Sequence, residues 1–326
     1  MLYSDVILAE IFSKPEQVEV LKTFAIHNEA HPRSQFLQAG AGSRGLNRAA
    51  GQAQFEPVED EIPYDGAPEG RIFLYGFHSG ILPDDRRVIV YLPPQYFAEP
   101  ERRFGVMYLH DGQNLFDPRT SYVPGRTWQA GATADQLAAE GAMEPVILVG
   151  IANTGLRRLA EYTPTRDFRM GGGDGDRYGR MIVEELKPFV DENFRTQPEA
   201  AHTGLGGSSL GGLISLYLGL QYPEVFSRLA VLSPSIWWDH RSILNYVMQF
   251  QREERALPRI WLDIGLAEGA RHVRDVEVLG RLLSKRGWVA DRDLRVVEVA
   301  GAVHDEQAWA ARFGDVLTFL FPCCPR

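Results

Sequence analysis

The sequence predicts an α/β protein with a mostly parallel central sheet, an antiparallel edge and helices on both faces. Three observations lead there. Short apolar runs alternate with helix-length segments through most of the chain. The earlier runs are joined instead by short turns such as Pro83-Asp84-Asp85, which suits antiparallel neighbours. A glycine-flanked serine, Gly207-Ser208-Ser209-Leu210-Gly211, falls where one apolar run gives way to a helical stretch.

Residues 1–55 stand apart. Ser13-Lys14-Pro15-Glu16 has the form of a capping box, and Val18, Leu21, Phe24 and Ala25 follow at helical spacing. Such a helix has to cover its apolar face on the main body or on a second copy of the chain, so a homo-oligomer formed through this segment is one expectation. Residues 39–54 are small, polar and glycine-rich, and read as a flexible linker. The main domain is then expected over 56–326. Its strand candidates are 72–75, 88–92, 106–109, 146–151, 202–205, 229–232, 260–264 and 294–299. Helices are expected over 177–193, 213–222 and 273–286. In sheets of this kind the reactive groups gather at the carboxyl ends of the strands.

Composition narrows the function. A chain of 326 residues that is 44% hydrophobic can bury a large core. A formal net charge of -9 repels polyanions, which argues against nucleic acid as a partner. No apolar run approaches the ~18 residues that cross a bilayer, so no membrane partner is expected. The N-terminus lacks the basic start and small-residue cleavage site of a secretory signal, and a cytoplasmic location is expected. Cys323 and Cys324 are adjacent and read as ordinary thiols rather than a disulfide framework.

The chemistry centres on Ser209. A serine in the G-x-S-x-G pattern occupies a sharp strand-to-helix turn that lifts its Oγ clear of the sheet. The helix that follows presents its free N-terminal amides, and that of Leu210 can stabilise a developing oxyanion. Ser208 lies one position early for this register. A dinucleotide loop would need glycine at position 209, and a P-loop would need a lysine near 210; neither is present. Gly171-Gly172-Gly173-Asp174 also precedes a helix, but no basic residue accompanies it, and it reads as a loop.

A serine nucleophile needs a base, and imidazole titrates near neutrality. His240, His272 and His304 lie downstream. His304, in the loop after the last strand, leaves room for an acid between nucleophile and base. His240 comes too early for that and His272 falls at a helix start. The acid is expected at Glu268, just past the strand 260–264, with Asp263 and Asp275 as alternatives and a Ser–His dyad also open. The second oxyanion amide is expected at Gln113, within His110-Asp111-Gly112-Gln113-Asn114. Trp237, Trp238, Tyr162 and Trp128 are candidates for an aromatic wall beside Ser209, although one tryptophan of the adjacent pair could equally be core. Arg158 could meet a substrate carboxylate or catecholate, or form an ion pair. Neither His110-Asp111 nor His304-Asp305-Glu306 has the spacing of a zinc motif, so no metal and no cofactor is expected.

Together these motifs resemble the enterochelin esterase family, which includes feruloyl esterases and adopts the α/β-hydrolase fold. The segments that carry the resemblance are Arg87-Val-Ile-Val-Tyr-Leu-Pro-Pro94, Tyr108-Leu-His-Asp-Gly-Gln-Asn-Leu-Phe116, Gly207-Ser-Ser-Leu-Gly-Gly212 and Gly301-Ala-Val-His304. It implies a nucleophile at Ser209, a base at His304, oxyanion amides at Gln113 and Leu210, and an acid at Glu268. Ser233-Pro-Ser-Ile-Trp-Trp238 and Arg158 to Tyr162 are similar to segments that line the family's substrate cleft. The function expected is a serine carboxylester hydrolase acting on an aromatic, siderophore-type or small acyl ester. An acyltransferase on the same triad, or a catalytically silent binding module, is the alternative.

Overall fold

The computed structural model describes residues 53–58, 69–251 and 257–323. The helix and most of the linker expected before residue 53 lie outside the described residues. Nine strands form one sheet: β1 (Gln54–Val58), β2 (Arg71–His78), β3 (Arg86–Leu92), β4 (Gly105–His110), β5 (Val146–Ile151), β8 (Thr203–Ser208), β9 (Arg228–Leu232), β10 (Arg259–Gly265) and β11 (Leu294–Val299). Their order across the sheet is β1-β2-β3-β5-β4-β8-β9-β10-β11. The pairs from β1 to β5 are antiparallel, and those from β5 to β11 are parallel. The chain thus has an α/β-hydrolase architecture with its antiparallel edge at the early strands. Two short strands, β6 (Arg166–Asp167) and β7 (Gly171–Gly172), pair separately as a hairpin.

The helices are α1 (Pro94–Ala98), α2 (Ala130–Ala139), α3 (Arg158–Glu161), α4 (Gly175–Met181), α5 (Lys187–Asn193), α6 (Leu210–Gln221), α7 (Trp238–Gln249), α8 (Ala270–Lys285) and α9 (Glu306–Leu320). A π-turn over Ile182–Leu186 joins α4 to α5, so the helix expected over 177–193 is one stretch with a local widening.

Strand β4 shows why both faces are covered. Every one of its residues is buried. Val106 and Tyr108 point into one core cluster with residues of α4, α5, α6, α7 and α8. Met107 and Leu109 point into the other, with α2 and α9. That is the period-2 division of a strand covered on both sides. Helix α8 is amphipathic in the same sense. Val276, Leu279 and Leu283 are buried, while Arg281 and Lys285 face solvent. Burying each such side chain contributes about 1.5–3 kcal/mol. Helix α9 begins at Asp305, whose Oδ1 accepts the N–H of Ala308 at 2.8 Å, a capping bond.

Strand β1 is absent from the expected strands. It is half-exposed and paired to β2, and Phe55 stacks on Phe77 and Phe189; one inward ring in five residues is too short a pattern to mark a strand. Helices α1, α2, α3, α7 and α9 also lie outside the expected helical stretches. Among the described residues, no helix is long and apolar enough to cross a membrane.

Candidate active site

The reactive groups collect at the carboxyl ends of five neighbouring strands. Ser209 follows β8 directly and adopts φ 59°, ψ -121°, a left-handed region costly for a residue with a side chain. The turn is possible because its flanking positions are bare. A Cβ on Gly207 would come within 3.1 Å of both the Gly211 backbone and the His110 side chain. The turn is held by the bonds Ser209 N–H to Leu232 O (3.0 Å) and Ser235 N–H to Ser209 O (3.0 Å). Leu210 opens α6, so its amide is one of the free donors at a helix start.

After β10, the 3₁₀ turn Leu266–Glu268 returns the Glu268 carboxylate toward the sheet. Its Oε1 accepts from Ser233 Oγ (2.7 Å) and from Gly265 N–H (2.9 Å). Its Oε2 meets His304 Nδ1 at 2.7 Å. Gly265 has to be glycine here, since a Cβ would lie 2.3 Å from Ala302 O. A backbone bond from Ala267 to Ala302 (3.1 Å) ties the acid's loop to the loop of His304. The Glu268 side chain is 1% exposed and that of His304 42%, so the acid is dry and the base reaches solvent. Burial by itself raises the Glu268 carboxyl. The bonds from His304, Ser233 and Gly265 outweigh it and hold the group below the usual carboxylate range. The imidazole also stands edge-on to Trp309, with ring centroids 4.9 Å apart.

Among the described residues, Ser209 Oγ has its side-chain hydrogen bond to Ser235 Oγ, at 3.3 Å, and none to His304. The structure therefore joins His304 to Glu268 and leaves the Ser209 hydroxyl on a different partner. Hydrogen bonds of this kind often tighten only with substrate in place.

Gln113 is the middle residue of the 3₁₀ turn Gly112–Asn114 after β4. Its side-chain Oε1 accepts the N–H of Asn153 (3.2 Å), and its carbonyl accepts Thr120 Oγ1 (2.7 Å). The turn begins at Asp111, at φ 55°. Asp111 is clasped by Arg158 Nε and Nη2, both at 2.7 Å, and by Asn153 Nδ2 at 2.7 Å. Burial alone raises the Asp111 carboxyl, but the Arg158 guanidinium and Asn153 bring it below its ordinary value.

The structure decides between several alternatives and corrects the aromatic wall. Arg158 takes the ion-pair alternative: its fork is committed to Asp111 and its plane lies over Tyr162, 5.0 Å from the centroid. Tyr162 is fully buried, and its hydroxyl accepts the Asp111 N–H at 3.0 Å. Trp238 is also fully buried, with Nε1 donating to Thr165 O at 2.9 Å. Trp128 packs in the interior against Trp309 and Phe313. These rings stay in the core because each has an apolar neighbour or a backbone partner there, so of the expected aromatic wall only Trp237 keeps open surface. Asp263 is buried against Trp261 Nε1 (2.7 Å) and Arg312 Nη2 (2.9 Å), and Asp275 pairs with Arg241 (2.9 Å). Neither alternative acid faces His304 in a hydrogen bond.

Sequence reasoning missed Ser233, Ser235, Asn153 and Arg312. Ser233 was visible only as part of a cleft-lining segment, and its φ of 41° had no sequence signal. His110 was read only as a weak metal candidate. It is fully buried under the elbow, its Nδ1 2.9 Å from the Tyr178 hydroxyl oxygen (Oη), and burial pushes its imidazole down to about 3. For metals, Asp167, Asp239 and His240 bring one ligand atom each within 4.8 Å of one another, but Asp167 Oδ1 already accepts the N–H groups of Arg169 and Met170. A cavity of about 350 Å³ lies between α7 and α8, lined by Leu244, Met248, Leu282 and Lys285, away from the strand ends that carry Ser209 and Glu268.

A family model described as "Putative esterase" matches residues 79–320. The chain is 27% identical over 250 residues to the uncharacterized protein YbbA of Bacillus subtilis, covering 73% of this chain and 93% of that one. It is 30% identical over 198 residues to an endo-1,4-beta-xylanase/feruloyl esterase of Xylanibacter ruminicola, covering 58% of this chain and 24% of that one. Among solved structures, an enterochelin esterase from Shigella flexneri is similar at a TM-score of 0.60 and 22% identity, over 78% of this chain and 59% of that one.

Proposed function

Because the chain belongs to this esterase family and is a carboxylic ester hydrolase, we propose that it cleaves its substrate through an acyl-enzyme on Ser209. The observation that carries the reading is the 2.7 Å bond between His304 and Glu268, set at the same end of the sheet as the strained turn of Ser209.

Substrate binding turns Ser209 Oγ from Ser235 toward His304 Nε2. The hydroxyl attacks the ester carbonyl while Nε2 takes its proton, and Glu268 stabilises the imidazolium that forms. The amides of Gln113 and Leu210 hold the oxyanion; losing one such donor typically costs about 10²–10³ in turnover. The C–O bond to the alcohol breaks as His304 returns the proton to the leaving oxygen. Water then attacks the acyl carbonyl, giving a proton to His304, and the acid leaves as Ser209 recovers its hydroxyl. No cofactor enters these steps.

The substrate proposed is an aryl or siderophore-type ester. Two of the similar proteins are named for feruloyl and enterochelin esters, and Trp237 leaves an aromatic surface on the segment that follows Ser235. Intact-mass analysis after fluorophosphonate treatment tests the nucleophile. One adduct is expected on the wild-type protein and none on Ser209→Ala, with esterase turnover lost in the variant. Undiminished turnover in Ser209→Ala would sink the mechanism.

A further inference from the structure

The buried face of Glu268 carries an arrangement that the acyl-enzyme scheme does not use. Ser233 Oγ lies 2.7 Å from Glu268 Oε1, 2.8 Å from Arg312 Nη2 and 3.0 Å from Trp309 Nε1. A guanidinium and an indole N–H can only donate. Both must therefore donate to the serine oxygen, and the single Ser233 proton is left for the carboxylate. Arg312 is itself fixed by Asp263 at 2.9 Å, and its Nη2 stands 3.9 Å from Glu268 Oε1. The direction of every proton in this chain is settled by the chemistry of its members. It runs from the Arg312–Asp263 pair, through Ser233, to Glu268 and His304.

We propose that Ser233 is a positioning residue of the hydrolytic site, holding Glu268 ionised with Oε2 turned to His304 and so governing how firmly the imidazole keeps its second proton. The inference rests on His304 and Glu268 serving Ser209 as proposed above. A carboxylate satisfied on its far oxygen by two N–H or O–H donors spreads its charge. Removing one donor concentrates that charge on Oε2, and the imidazolium facing it then releases its proton less readily. The backbone supports the role. Ser233 sits at φ 41°, a cost the fold accepts while placing the hydroxyl between three partners.

Other charged groups act on this pair from the elements packed around it: His272 on α8, Glu306 at the start of α9 and Arg312 further along α9. Asp263 on β10 and Asp305 before α9 stand one partner away, on Arg312 and on Arg126. All remain when only the Ser233 hydroxyl is removed.

The test is the pH dependence of kcat/KM for a 4-nitrophenyl ester, measured on wild type, Ser233→Ala and Ser233→Gly. Glycine is included because it suits the left-handed backbone and keeps the fold accessible if alanine does not. The acid limb is expected to move to higher pH by about half to one unit in both variants, with turnover on the alkaline plateau within about tenfold of wild type. The same displacement is expected when protonation of the His304 ring is followed by NMR in a Ser209→Ala background, where no turnover is needed. An acid limb and ring titration that coincide with wild type would overturn the proposal, whatever the plateau does. Loss of the fold in both variants would also overturn it, by assigning Ser233 to the core. Failure of the serine mechanism itself would appear separately, as turnover surviving Ser209→Ala.

Discussion

At Glu268 the two carboxylate oxygens have unlike surroundings, and this makes a conservative substitution more harmful than a drastic one. Oε1 faces two donors, Ser233 Oγ and Gly265 N–H, while Oε2 faces His304 Nδ1. In Glu268→Gln the amide oxygen must stay at the Oε1 position, because an NH₂ group there would meet two donors. The NH₂ then faces Nδ1, which has to accept. The ring proton moves to Nε2, the atom that in the proposed mechanism receives the proton of Ser209. Glu268→Gln is therefore expected to lower kcat by about 10³–10⁴-fold, and by more than Glu268→Ala, which leaves the tautomer free. Turnover numbers for the two variants on one ester check this; a glutamine enzyme as fast as the alanine one would refute the proton assignment. Ser209, Glu268 and His304 could be singled out in the sequence because each follows a recognisable strand in a fixed order. Ser233 and Arg312 could not, since their roles arise from contacts between distant positions, as in the Arg312–Ser233 bond.

Arg86 on β3 and Glu161 on α3 form a buried ion pair, with Nη1 and Nη2 at 3.1 and 2.9 Å from the two carboxylate oxygens. The pair fixes the short helix that also bears Arg158, and through Arg158 it steadies Asp111 and the turn of Gln113. Glu161→Ala is expected to cost about 3–5 kcal/mol, because it strands a buried guanidinium. Replacing both partners by apolar residues of similar size should cost much less. Urea midpoints of the single and double variants measure the difference. At this scale the sequence was legible where hydrophobic periodicity was strong. The eight expected strands all appear in the sheet, with limits shifted by a few residues at most. Strand β1 escaped because it offers a single inward ring, Phe55, beside Pro57, a residue that argues against a strand in sequence. The Arg158 and Tyr162 roles escaped because a polar residue near a strand end reads alike whether it faces a ligand or another loop.

Among the described residues, one fully buried imidazole is held neutral. His110 is fully buried and pushed down to about 3, while in the unfolded chain it would titrate near ~6.5. As pH falls below that value the unfolded chain gains a proton that the folded protein refuses. Stability is thus fully present above pH ~6.5 and is lost progressively toward the folded value. At pH 4.5 this group alone should have removed about 2–3 kcal/mol. His110→Asn, whose amide can still meet the Tyr178 hydroxyl, is expected to lose that much less between pH 7 and 4.5. Urea denaturation at the two pH values decides the matter, and carboxylates titrating in both proteins cancel from the comparison. The sheet order has a further consequence, one of reach. Ser209 hangs from β8 and His304 from β11, three places away in the sheet. At ~4.8 Å per strand that is about 14 Å, so the loop after β11 must carry the imidazole back across two strand ends. One residue added to or removed from that loop alters its span by ~3.5 Å, more than a hydrogen bond tolerates. The spacing of the enzyme is thus written into a loop length, which can silence it with every reactive group still present.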